Sequence, residues 1–161
     1  MEAMQAKYEQ LIQDLRADLR PQREWSQGRG IFMVIGHFVV GVAGGTWLFS
    51  LLYGSRLGLA LAFVLGALGG LLHLANLGHP GRAWRMALQF RRSWISRGFF
   101  GLSLFLLGGF LYLVPLWLPG VLWGADSAIA GAGKLISLLG MVTIIGYMGF
   151  VYTASKGIPF W

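Results

Sequence analysis

Residues 31–53 read IFMVIGHFVVGVAGGTWLFSLLY, and after the turn Gly54-Ser55-Arg56 residues 57–77 read LGLALAFVLGALGGLLHLANL. Neither run holds a Lys, Arg, Asp or Glu. Each has the ~20 residues that a helix needs to cross ~30 Å of hydrocarbon. Inside a bilayer no water satisfies backbone N–H and C=O groups, so an open-ended span has to be helical. Residues 98–118 and 129–152 repeat the pattern. The expectation is an all-α membrane protein with four transmembrane helices in an antiparallel bundle.

The composition agrees. Hydrophobic residues make up 56% of the 161 and charged residues 12%, against about 25% charged in a soluble domain. Seven Trp, five Tyr and eleven Phe suit aromatic belts at two membrane interfaces. There is no cysteine, so this chain supplies no thiolate nucleophile, iron–sulfur cluster or cysteine zinc site. The net charge of +7 would suggest nucleic acid in a soluble domain. Here the basic residues flank apolar spans, and topology explains them without nucleic acid.

Residues 1–25 form a separate unit. Tyr8, Leu11, Ile12, Leu15 and Leu19 recur at helical spacing, which predicts an amphipathic surface helix stopped by Pro21. It lies on the bilayer or docks a soluble partner. Acidic residues mixed into this segment argue against a cleavable signal.

Charge asymmetry predicts an orientation. Eleven of the 13 Lys and Arg lie in the N-terminal segment, the 78–97 loop or the C-terminal tail, against Arg56 and Lys134 on the other side. The positive-inside rule places both termini and the 78–97 loop in the cytoplasm.

Few residues in the spans have chemistry to offer. At ~1.5 Å per residue, His37 lies ~9 Å and His73 ~6 Å below the same end of the bundle. Polar groups at such depth are functional candidates. Two neutral imidazoles on neighbouring helices suit a haem b, a quinone site in which they donate hydrogen bonds and relay protons, or a plain helix–helix contact. Spacing does not choose among these. In the 78–97 loop, Arg82, Arg85, Gln89 and Arg92 recur at α-helical spacing with Trp84, Leu88 and Ile95 as apolar surface, which fits an interfacial helix binding lipid or a soluble subunit. Gly41/Gly45 and Gly66/Gly70 are small-xxx-small pairs, which predict a tight hairpin of the first two spans. Pro115 is expected to kink the third.

The loop also carries a resemblance. Leu77-Gly78-His79-Pro80, then Arg82-Ala83-Trp84-Arg85, then Arg92-Ser93-Trp94-Ile95-Ser96-Arg97 resembles the signature of the NrfD/DmsC-type membrane anchors of polysulfide reductase, dimethyl-sulfoxide reductase and cytoplasmic sulfite dehydrogenase. The glycine run 41–45 and the closing Ile158-Pro159-Phe160-Trp161 are similar to it too. The resemblance covers residues 30–161. It implies an anchor subunit with no metal of its own, serving anaerobic or sulfur respiration in a bacterial or archaeal cytoplasmic membrane. Such anchors join a ferredoxin-like iron–sulfur subunit and a molybdopterin (or tungsten) catalytic subunit, and exchange electrons with menaquinone or ubiquinone. On this resemblance Asn76 and His79 fall at quinone-site positions, with His73 about one turn earlier. Arg82, Trp84, Arg85, Arg91, Arg92 and Arg97 fall on the docking face. Two departures stand out: Gly98 replaces the acidic residue that usually follows Ser-Arg, and four spans replace eight or more. The second implies a split subunit, a half-length paralogue or part of a longer chain, with a second membrane half or another copy as the expected partner.

Overall fold

The structure is a computed structural model describing residues 2–18, 28–91, 93–118 and 120–151. All regular elements among the described residues are helical. They are α1 (Glu2–Asp18), α2 (Gly30–Tyr53), α3 (Arg56–Asn76), a 3-10 helix (Pro80–Gln89), α4 (Trp94–Trp117) and α5 (Ala128–Phe150). Helices α2 to α5 are long and apolar enough to cross a membrane, so this is an all-α, multi-pass membrane protein. On α1, Met4, Tyr8, Leu11 and Ile12 are exposed, and no described element packs against it. Leu19 and Pro21, and the side chain of Leu15, lie outside the described residues, as do Arg92, Pro119 and residues 152–161.

Local signals set the helix ends. Ser55 accepts a hydrogen bond from Gly58 N at 3.2 Å and Ser127 one from Ala130 N at 3.2 Å, each capping an orphan N–H group. Gly54 ends α2 in the left-handed region (φ 67°), which lets the chain reverse into α3. The fourth cap moves a boundary. Ser93 Oγ accepts from Ser96 N at 3.4 Å, so the third span begins at Trp94, four residues before the expected Gly98. Pro115 sits inside α4 and leaves the Leu111 carbonyl without its helical donor. The indole N–H of Trp123, from the loop beyond, donates to that oxygen at 3.0 Å.

The four spans form two close hairpins, α2/α3 and α4/α5, with sparser packing between them. Lipid is as apolar as leucine, so close packing rather than water exclusion holds such helices together. Accordingly the outward faces carry Phe38, Leu52, Leu57 and Leu139, all exposed, while the inward faces carry Gly, Ala and Ser. The closest approach of backbone to backbone is in the second hairpin. Cβ atoms built at Gly108 and Gly140 would strike backbone atoms of the facing helix, and one at Gly133 would lie 2.8 Å from Gly108 O.

The first hairpin closes differently from the sequence expectation. Gly41 meets only Met148 of α5, Gly45 has nothing within 4 Å, and Gly66 and Gly70 face Phe105 and Leu102 of α4. The α2–α3 approach is made by Gly69, packed on Val40 and the Gly36 carbonyl, and by Gly58 against Ser50. Small residues mark close approach, but their spacing does not say which neighbour approaches. Between the hairpins, fully buried Trp47 meets Phe105 edge-on at 5.0 Å and Tyr112 at 6.4 Å.

Candidate functional site

Up-and-down order brings the start of α2, the end of α3, the 3-10 helix, the start of α4 and the end of α5 to one end of the bundle. Arg82, Arg85 and Arg91 are exposed there. Just below them the structure joins the two membrane histidines, as their matched depth implied. His73 Nε2 lies 3.2 Å from His37 Nδ1, with ring centroids 4.8 Å apart.

The partners assign the protons. Carbonyl oxygens only accept, so His37 Nδ1–H donates to Met33 O (3.0 Å) and His73 Nδ1–H to Gly69 O (2.7 Å). With both rings neutral, His73 Nε2 is bare and takes a share of the His37 Nδ1–H bond. Gly36 makes this possible. A Cβ there would lie 2.7 Å from His73 Nδ1, so only glycine leaves room for the ring. The same arrangement bears on haem. Two axial nitrogens across an iron stand about 4 Å apart, at about 2 Å per metal–nitrogen bond, with a macrocycle between them. Imidazoles in direct contact at 3.2 Å leave no such gap.

Beside the pair lies a cavity of about 400 Å³ between the hairpins, walled almost wholly by apolar side chains. His73, Asn76 and Tyr147 are among its lining residues, and Met86 of the 3-10 helix reaches it from the loop side. His37 lies behind His73 and lines a shallow cleft on the other side of α2, with Phe38 and Met148. His79 is exposed and does not line the cavity. Of the four expected quinone-site residues, then, His73 and Asn76 line one cavity, His37 supports it, and His79 stands apart.

Tyr147 escaped the sequence reading. Its ring lies 5.7 Å from that of His37 and occupies the space over Gly98, where a Cβ would approach within 2.6 Å. A side chain at position 98 therefore collides with the Tyr147 ring as it is placed. A tyrosine in an apolar helix near a membrane boundary reads as an interface anchor, so only the glycine opposite it was a clue.

The loop also differs from expectation. Pro80–Gln89 is 3-10 rather than α, so residues three apart align. Arg82 and Arg85 share an outer row with Leu88, while Ala83 and Met86 turn inward and are half-buried. Arg97 is not presented for docking. Its guanidinium donates to Phe90 O at 3.3 Å and Arg91 O at 3.2 Å, and lies 4.3 Å over the Trp94 ring. It clamps the end of the loop to α4. In the variant Arg97→Gln, amide exchange across residues 80–91 should quicken by about five-fold, reflecting the loss of two charge-assisted bonds at a half-exposed site. Unchanged exchange would mean that the clamp holds nothing.

Fold and site together define a multi-pass membrane protein with a largely apolar cavity at the arginine-rich end of its bundle. No family model, curated protein or solved structure matches this chain.

Proposed function

We propose that this chain is the quinone-interacting anchor of a multi-subunit oxidoreductase, carrying electrons between a partner iron–sulfur subunit and the membrane quinone pool. The observation that carries the reading is the cavity. It is of ligand size, open to apolar molecules, and has three hydrogen-bonding side chains, His73, Asn76 and Tyr147, at one end. A quinone needs such a site: an apolar slot for its ring and a few donors for its carbonyls.

Quinone, when bound, supplies the two-electron, two-proton chemistry. The chain's own residues do the rest. Asn76 and Tyr147 reach a carbonyl from two different helices. The His37–His73 pair holds protons close by, in a bundle whose residues 25–125 contain no Asp or Glu at all. Arg82, Arg85 and Arg91, with Trp84, offer an acidic partner an exposed basic face; the resemblance to NrfD/DmsC-type anchors makes that partner the ferredoxin-like subunit, joined to a molybdopterin subunit. The charge bias supports a cytoplasmic setting for this face and both termini, and the resemblance supports a bacterial or archaeal cytoplasmic membrane.

Purification in mild detergent tests the reading. The expected result is an iron–sulfur subunit and a molybdopterin subunit in the eluate, no Soret band from the chain, and quinol-dependent reduction of the clusters. A Soret band that disappears in His37 and His73 variants would make it a haem anchor instead. A chain that purifies alone and binds no quinone would be a scaffold.

A further inference from the structure

We infer that the cavity is a head-and-tail site, in which the slot between α3 and α4 takes the prenyl chain of a lipid-borne quinone. This rests on the quinone reading above and adds which part of the ligand the protein grips.

The shape comes first. On α3 the lining runs from Leu77 back to Ala67, and on α4 from Ile95 to Leu106. At 1.5 Å per residue the cavity is therefore about 15 Å long, parallel to the helices. A volume of about 400 Å³ spread over that length makes a slot rather than a bowl.

Its two ends differ in chemistry. The arginine-rich end carries His73, Asn76 and Tyr147, whereas the deep end is almost wholly carbon, from Val40, Ala67, Leu102, Leu106 and Ile144, with the one hydroxyl there, that of Ser103, turned back onto Phe99 O of its own helix. Ala67 and Leu106 lie at the middle of the 21-residue α3 and the 24-residue α4, so the deep end reaches the bilayer midplane. A ring bound at the polar end leaves that half unfilled, and the unfilled lining forgoes its dispersion contacts. A chain attached to the ring and running inward would complete them.

The slot also opens sideways. Leu71 on its α3 edge is 62% exposed and Ile95 on its α4 edge 55% exposed. On a bundle wrapped in lipid, that edge faces the acyl chains, so a ligand enters from the bilayer with its chain already there. The head is neutral. Among the described residues no Lys or Arg lines the cavity, and a phospholipid phosphate placed inside it would be desolvated without a cation. The combination of neutral carbonyl head and long apolar chain specifies a prenylated quinone.

The test uses the full chain in detergent, freed of endogenous quinone. It is titrated with a short prenylated quinone and with the same ring lacking the chain. Ala67→Leu fills the deep end from α3. Ser103→Leu fills it from α4, where the Ser103 hydroxyl bonds only its own helix, to Phe99 O at 2.9 Å. Wild-type protein should prefer the prenylated ligand by about ten-fold, the worth of a few well-packed methyl groups. Both variants should lose that preference while binding the bare ring within two-fold of wild type. Affinities are expressed on the ligand concentration within the micelle phase, which removes partitioning of the chain into detergent from the comparison of ligands as well as of proteins.

If wild type binds both ligands equally, or if both variants keep the preference, the tail groove is wrong and the head site stands. If a phospholipid co-purifies with wild type and is lost from Ala67→Leu, the slot belongs to a lipid and the inference is overturned. If neither ligand binds wild type, the quinone reading fails with it.

Discussion

Gly108→Leu should unfold the second hairpin, whereas Gly45→Leu should leave the protein as stable as before. A Cβ at Gly108 would strike Ser137 N and lie 2.6 Å from Gly133 O. These are backbone atoms, which cannot rotate aside as a flexible side chain would. The helices would have to part along the line where Gly101, Gly108, Gly133 and Gly140 bring them together. Overpacking a core commonly costs 1–3 kcal/mol. Against facing backbone the cost should be about 3 kcal/mol or more, enough to remove much of a marginal protein's stability. Nothing lies within 4 Å of a Cβ at Gly45, and leucine is the better helix former by somewhat under about 1 kcal/mol. Thermal unfolding in detergent reads both variants. Equal melting for the two would show that the α4/α5 contact is softer than its geometry implies.

The largest functional effect should come from His73→Phe. Phenylalanine keeps a ring in the space that Gly36 provides, but removes both nitrogens. The Gly69 carbonyl loses its side-chain donor and His37 loses its imidazole neighbour, so the coupled pair becomes a single imidazole still bonded to Met33 O. Removing a positioned proton donor or acceptor typically costs 10²–10⁴ in rate, and quinol-linked electron transfer in the assembled complex should fall by about a hundred-fold. His79→Ala should stay within two-fold, because that side chain is exposed and lies outside the cavity. Normal yield of the complex with a normal rate in His73→Phe would reduce the pair to a packing contact and remove the site proposed here.

The fold was legible because its signal is coarse. Four apolar runs of membrane length, three without a charge and the fourth with only Lys134, leave the backbone one option, and span ends came within a few residues wherever a turn residue such as Gly54 marked them. Ser93 was missed as a cap because the arginines around it read as loop. The histidine pair was legible through depth alone: two helices joined by a three-residue turn must return to the same level. What could not be read was helix rotation. Gly41 and Gly45 share a spacing with genuine contact pairs, yet they point away from α3. The glycines that do the packing in α4 and α5, seven residues apart, were visible as letters without a facing partner to give them meaning. His79 and Asn76 are three positions apart, but one ends a helix and the other begins an exposed turn, so only Asn76 faces the cavity.

His37 and His73 both belong to α2/α3, whereas the cavity needs walls from α4 and Tyr147 from α5. The two parts of the site therefore differ in what they require. The first hairpin, with its own cap and its own turn, is enough to bring the imidazoles together. The cavity exists only where the second hairpin settles against the first. Docking of the two hairpins is thus an assembly step within one chain, and it is what gives the histidine pair a cavity to border.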